Sequence, residues 1–206
     1  MKNIKYFISV LVISGTVNVN AQESSSKYPM NNETKLISYT RVVQADSVDK
    51  NELYMRAFTW ANTYYKNPTD VIREKDASAG KIVCKQRFKI TNPPDKDGFE
   101  KDAGLVMYTL TILVKEGRYK YDLTEINWKQ ISYYPIERWM DTKAEGYEKE
   151  YDYYLKLTDA FVKKVLADLE KAMTVSTKKV KKSKKHGSTV SWVCCQLLSY
   201  LISYAT

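Results

Sequence analysis

The stretch LVMYTLTILVK-EG-RYKYDLTEIN, residues 105–127, decides the fold. Over Leu105 to Lys115, every second residue is large and apolar, so Val106, Tyr108, Leu110, Ile112 and Val114 share one face of an extended chain. Glu116-Gly117 supplies a tight turn, and from Arg118 to Asn127 the alternation resumes, with Tyr119, Tyr121 and Leu123 set against Lys120, Asp122 and Thr124. This predicts an antiparallel hairpin with one face in a core and one in water. Upstream, Ile82, Cys84, Phe88 and Ile90 alternate with Lys85, Arg87 and Lys89 in a third strand, preceded by Val71 to Asp76 and a turn through Ser78-Ala79-Gly80.

Two helical patterns flank these strands. Asp49 with Glu52 three residues on has the form of a capping box, and Leu53, Ala57, Trp60, Ala61 and Tyr64 then recur at helical spacing until Asn67-Pro68. A long final helix is expected from Tyr147 to Met173, with Tyr151, Tyr154, Leu155, Thr158, Val162, Val165, Leu169 and Ala172 as its buried stripe. Leu36 to Val43 suits a first strand, while residues 22–35, with three consecutive serines and no periodic apolar face, read as a flexible lead-in. The expected class is therefore α+β: one antiparallel sheet in the order β-α-β-β-β-β-α, with two helices hiding one of its faces.

At this point the chain resembles a known domain-of-unknown-function family. The residues that carry the likeness are Ser38-Tyr39-Thr40, the helix with Glu52-Leu53-Tyr54-Met55-Arg56-Ala57 and Trp60, the Asp76 to Gly80 turn, and Glu116-Gly117-Arg118-Tyr119-Lys120-Tyr121. That family has a TATA-binding-protein-like (TBP-like) fold and occurs mainly in exported proteins of Bacteroides-type bacteria. The resemblance covers residues 36–173 and implies the same element order. It brings no catalytic residues, and a fold label does not import DNA binding.

Both ends of the chain lie outside this pattern. Met1 to Ala21 has a basic start (Lys2, Lys5), an apolar run from Tyr6 to Ile13 and small or aliphatic residues at Val19 and Ala21, which is the three-part form of a secretory signal peptide. An apolar run this short falls well below the roughly 20 residues of a membrane-spanning helix. The expected destination is the periplasm or the exterior. Residues 174–206 form a tail, basic from Lys178 to Lys185 and mostly apolar from Val190 to Ala205. A docked or disordered extension, an amphipathic helix lying on a membrane surface, and a terminus altered by a reading-frame change all fit it, and membrane contact is expected only there.

The ends also account for the charge. The formal net charge is +9 over 206 residues. Removing the two lysines of the leader and the six of the tail leaves about +1 for residues 22–173. A DNA-binding domain would carry its own basic stripe, so nucleic acid is not an expected partner. The Lys85, Arg87 and Lys89 face reads as a solvated strand face.

Catalytic sets are scarce. His186 is the single histidine and lies in the tail, Cys84 falls on the apolar side of its strand, and Cys194-Cys195 lack metal-ligand spacing. No phosphate-cradle motif occurs among only 7 glycines. No metal, cofactor or enzymatic activity is expected on these grounds. The best binding candidates are Trp128, Tyr133, Tyr134, Glu137, Arg138 and Trp139, an aromatic group edged by charge that suits a protein or glycan surface, or else plugs the end of the sheet under the last helix. The alternative is a hydrolase working through carboxylates among Glu125, Glu137, Asp141 and Glu145. The leader reading is checked by mass spectrometry of the protein recovered from its native envelope, where the mature chain is expected to begin near Gln22.

Overall fold

The computed structural model describes residues 27–130 and 132–175; the leader and the lysine-rich and apolar tail segments lie outside the described residues. Five strands follow the path β1-β5-β4-β3-β2, all antiparallel: β1 Tyr39–Gln44, β2 Ile72–Asp76, β3 Lys81–Thr91, β4 Asp102–Lys115 and β5 Arg118–Lys129. Helices α1 (Lys50–Tyr64) and α3 (Glu150–Thr174) cover one side of the sheet. The expected α+β architecture and element order are present.

The hairpin that decides the fold is built as its pattern predicts. Val106, Tyr108, Leu110, Ile112 and Val114 are all buried, and Ile112 pairs with Tyr121, Leu110 with Leu123. Lys85, Arg87 and Lys89 stay exposed on the opposite face, where Lys85 meets Glu125 and Lys89 meets Asp102. Such exposed pairs contribute about 0–1 kcal/mol each, so they shape the surface more than they stabilise it.

One break in the alternation is structural. Between the pairs Met107–Asn127 and Thr109–Thr124, β4 has one residue and β5 has two, which makes a β-bulge at Glu125 and Ile126. Glu125 takes a positive φ of 52°, a left-handed conformation that costs roughly 1–2 kcal/mol in a residue with a side chain. In return, Leu123 and Ile126 are both buried although three positions apart, and Trp128 also turns to the core side.

Helix α1 begins as expected, with the Asp49 carboxylate accepting the Glu52 N–H at 2.8 Å. Glu52 also pairs with Arg56, whose Nη1 donates to the Met173 carbonyl and ties α1 to the end of α3. The Trp60 indole N–H donates to Asp168 of α3 at 3.0 Å, and Phe161 of α3 stacks on Phe88 of β3 at 3.8 Å.

Four details depart from the sequence reading. Pro68 does not merely end α1: it opens a single further turn, α2 (Pro68–Val71), because proline's fixed φ suits a first helical position. Helix α3 starts at Glu150 rather than Tyr147, after a turn closed by Tyr147 N–H to the Ala144 carbonyl. The segment after β5, which has no element in the expected order, carries two: Tyr133–Pro135 forms β6 against β5 and Ile136–Met140 forms a 3-10 helix. Finally, the lead-in is anchored from Tyr28 on: Tyr28 is buried, Met30 bridges to Ile37, and the Asn31 side chain accepts from the N–H groups of Glu33 and Thr34. That turn rests on local hydrogen bonds rather than apolar periodicity, so it leaves no repeating signal.

The core is rich in phenols. Burial drives Tyr65 and Tyr108 far above the ordinary tyrosine range, and it pushes the adjacent Cys84 thiol up to about 12. A phenol whose folded pKa is raised contributes stability that is fully present below its unfolded value and is lost as pH rises above it. Unfolding midpoints in urea are therefore expected to hold steady up to about pH 8, to begin falling above it as the unfolded Cys84 thiol ionises, and to fall further above about pH 10, where the loss is less steep in a Tyr65→Phe variant.

Candidate functional site

The end of the sheet where β5 leads into β6 carries a broad open cleft of about 1270 Å³. Its floor is aromatic. Trp128 from β5, Trp139 from the 3-10 helix, and Tyr151 and Tyr154 from the first turns of α3 converge with ring centroids 5.4–6.2 Å apart, in tilted and edge-on arrangements that suit ring quadrupoles. The bulge at Glu125 is what sets Trp128 into this group. Gly104 permits it: its φ is +107°, and a Cβ there would come within 2.9 Å of the Trp128 indole nitrogen, which donates to the Ala103 carbonyl.

The candidate residues separate into two groups. Trp128, Tyr134, Glu137, Arg138 and Trp139 line the cleft, together with Asp141 and Glu145. Tyr133 does not: it stands 58% exposed outside the lining, with the Lys129 ammonium 5.9 Å from its ring. Glu125 is also elsewhere, on the wet side of the sheet, where the Thr109 hydroxyl and then Lys85 hold its carboxyl below the usual carboxylate range. Trp139 is 2% exposed, so it serves as a plug under α3 rather than as a contact surface. The accessible aromatic edge belongs to Trp128, Tyr134, Tyr147 and Tyr151, each only partly buried. Of these, Tyr147 and Tyr151 escaped the sequence reading, because Tyr151 falls in the expected buried stripe of the final helix and Tyr147 falls at that helix's expected start.

The carboxylates are already engaged in structural work at two positions. Glu137 Oε1 accepts the Ile37 N–H at 2.5 Å, fastening the N-terminal turn to the cleft wall, and Glu137 Oε2 is buried with no hydrogen-bond partner among the described residues. Asp141 Oδ1 accepts the Lys143 N–H at 3.0 Å in a side-chain turn. Arg138 lies over the Tyr134 ring at 5.3 Å. Tyr154 donates to the Asn92 side chain from the β3–β4 loop, so that loop closes one side of the cleft. Among the described residues, no group of His, Cys, Asp and Glu is placed to hold a metal ion, and no helix is long and apolar enough to cross a membrane.

A second, smaller hollow of about 640 Å³ lies between β1 and the later turns of α3. Its polar groups are mutually satisfied: Arg41 and the Tyr121 hydroxyl both bind Glu170, and Tyr39 and Lys163 both bind Asp159. It offers little to a ligand.

A single antiparallel sheet with helices on one face, built in this order, defines the TBP-like α+β class. Residues 39–129 match the model of DUF4468, a domain of unknown function with a TBP-like fold, as the resemblance in the sequence implies. Two solved structures share the fold. A TBP-like protein from Parabacteroides distasonis is 18% identical, with a TM-score of 0.58 over 72% of this chain and 97% of its own. A DUF4468 family protein from Bacteroides ovatus is 17% identical, with a TM-score of 0.55 over 68% of this chain and 87% of its own. Comparison with curated proteins yields no match.

The two kinds of aromatic residue are told apart by truncation. Trp139→Ala is expected to destabilise the domain by about 3–5 kcal/mol through the cavity it leaves, whereas Tyr133→Ala stays within about 0.5 kcal/mol, both read from denaturant midpoints.

Proposed function

We propose that this chain is an exported, non-enzymatic binding domain of the bacterial envelope, and that its ligand site is the cleft at the β5–β6 end of the sheet. The observation that carries the reading is the cleft itself: partly exposed rings of Trp128, Tyr134, Tyr147 and Tyr151 edged by charged groups, in an opening wide enough for part of a polymer or a protein segment. Flat apolar surface with polar edges is how proteins and glycans are commonly held. The leader pattern supports export. The near-neutral charge of the folded part argues for an uncharged or locally charged partner rather than a nucleic acid. Glu137 and Asp141, the two acids that a hydrolase would need from this segment, are occupied by backbone N–H groups of Ile37 and Lys143, as befits structural roles.

The test uses the tagged full chain expressed in a Bacteroides-type host. A photo-crosslinking residue at position 134 is expected to give a discrete envelope adduct, and one at Lys171, exposed on the far part of α3, is expected to give none. Recovery of uncleaved protein in the cytoplasm would overturn the address. Turnover of an envelope polymer that disappears in Glu137→Gln and Asp141→Asn would overturn the non-enzymatic reading.

A further inference from the structure

The rim of the cleft is negatively charged. Asp102, Glu137, Asp141, Glu145 and Glu148 line it against only Lys129 and Arg138. Asp102 is answered by Lys89 at 2.9 Å, but among the described residues no ion pair reaches Glu145, Glu148 or Asp141, whose Oδ1 accepts the Lys143 N–H while its charge has no cation beside it. Both rim cations lie over tyrosine rings instead. The field reaches the floor: after burial, the charge of Glu148 raises the Tyr151 phenol, and Glu148 with Glu150 raises Tyr154. Unanswered carboxylates beside partly exposed ring faces favour an alkylammonium group, which gains from the charge and from the ring quadrupole together.

The same chain carries such groups in a row. Lys178, Lys179, Lys181, Lys182, Lys184 and Lys185 follow the folded domain with no acid after Met173. Reach decides which copy supplies them. Helix α3 runs unbroken from the cleft at Tyr151 to Thr174, about 35 Å at 1.5 Å per residue. A fully extended chain covers at most about 3.6 Å per residue, so the lysines nearest Thr174 fall far short of their own cleft and Lys185 barely attains it. A neighbouring molecule meets no such limit.

We propose that the cleft of one copy takes the Lys178–Lys185 run of a second copy, a head-to-tail contact held by ammonium groups on the Asp141, Glu145 and Glu148 rim and over the aromatic floor. The proposal rests on the cleft being a binding site and names its occupant. Such a contact is heterologous: each copy offers one run and one cleft, so association continues until a ring closes or the supply ends.

The test is sedimentation of the mature chain at low and high salt, with two variants that leave the buried core untouched. One replaces the six lysines with serine, and the other combines Glu145→Gln and Glu148→Gln. The unaltered chain is expected to associate at about 50 mM salt and to do so at least tenfold more weakly at about 500 mM, where charges beyond a few ångströms are screened. Each variant alone is expected to stay monomeric, and their mixture to form one-to-one complexes, because one keeps the cleft and the other keeps the lysines. A labelled peptide of residues 176–188 is expected to bind the serine variant and to lose at least tenfold in affinity for the glutamine variant. A monomeric chain at low salt, association that survives both sets of substitutions, or a peptide that ignores Glu145 and Glu148 would overturn the proposal. Persistence of the adduct at position 134 with an unrelated envelope component, or cleft binding by a neutral glycan, would overturn this occupant while leaving the binding role in place. Loss of both adduct and peptide binding would remove the role itself.

Discussion

Strand β5 has to present apolar side chains to the same face at both of its ends, and an uninterrupted two-residue period would not allow it. Tyr119, Tyr121 and Leu123 point inward at odd positions; Ile126 and Trp128 point inward at even ones. The phase is reversed by the bulge at Glu125, held in a left-handed conformation and stabilised on the outside by Thr109 and Lys85. Without the reversal, the Glu125 carboxylate would face the core and the Trp128 ring would face water. With it, Trp128 meets Trp139, Tyr151 and Tyr154, and the end of the sheet acquires both a plug and a cleft. A cost of a kilocalorie or two in backbone strain is small beside the burial of an indole and an isoleucine side chain.

The fold was readable wherever one periodicity persisted long enough to fix a face. Five alternating residues in β4, the Asp49 cap and the α1 stripe, and the α3 stripe each specify an element and its inward side, and packing those sides against one another leaves little choice of architecture. What was not readable depends on contacts between distant residues or on turns with no repeat. Nothing near Glu137 in sequence announces that it will bind the Ile37 N–H a hundred residues earlier. Nothing in residues 28–36 announces a core position for Tyr28. The candidate group from Trp128 to Trp139 was recognisable as chemistry, yet its division into plug and rim follows from depth. Trp139 and Tyr133 look alike as aromatic residues and end at opposite extremes of exposure because the 3-10 helix turns one beneath α3 and β6 leaves the other at the edge.

The cleft is therefore a by-product of closing the sheet. Its floor stabilises the domain, while its rim, formed by the turn before α3, is under less structural constraint and can vary in charge without disturbing the rings below. That separation leaves the residues from Asp141 to Glu148 free to change in charge while the fold is kept.

The anchoring of Tyr28 carries a consequence for how the protein is made. The phenol lies in the field of Asp159 and Asp152 on α3, the last helix among the described residues, and Ile37 is fastened to Glu137. The earliest folded residues thus complete their packing only after nearly the whole domain has emerged. Contacts of such long sequence separation slow the final step of folding. The two ends of the domain therefore lock each other, and neither is fully held until the other is in place.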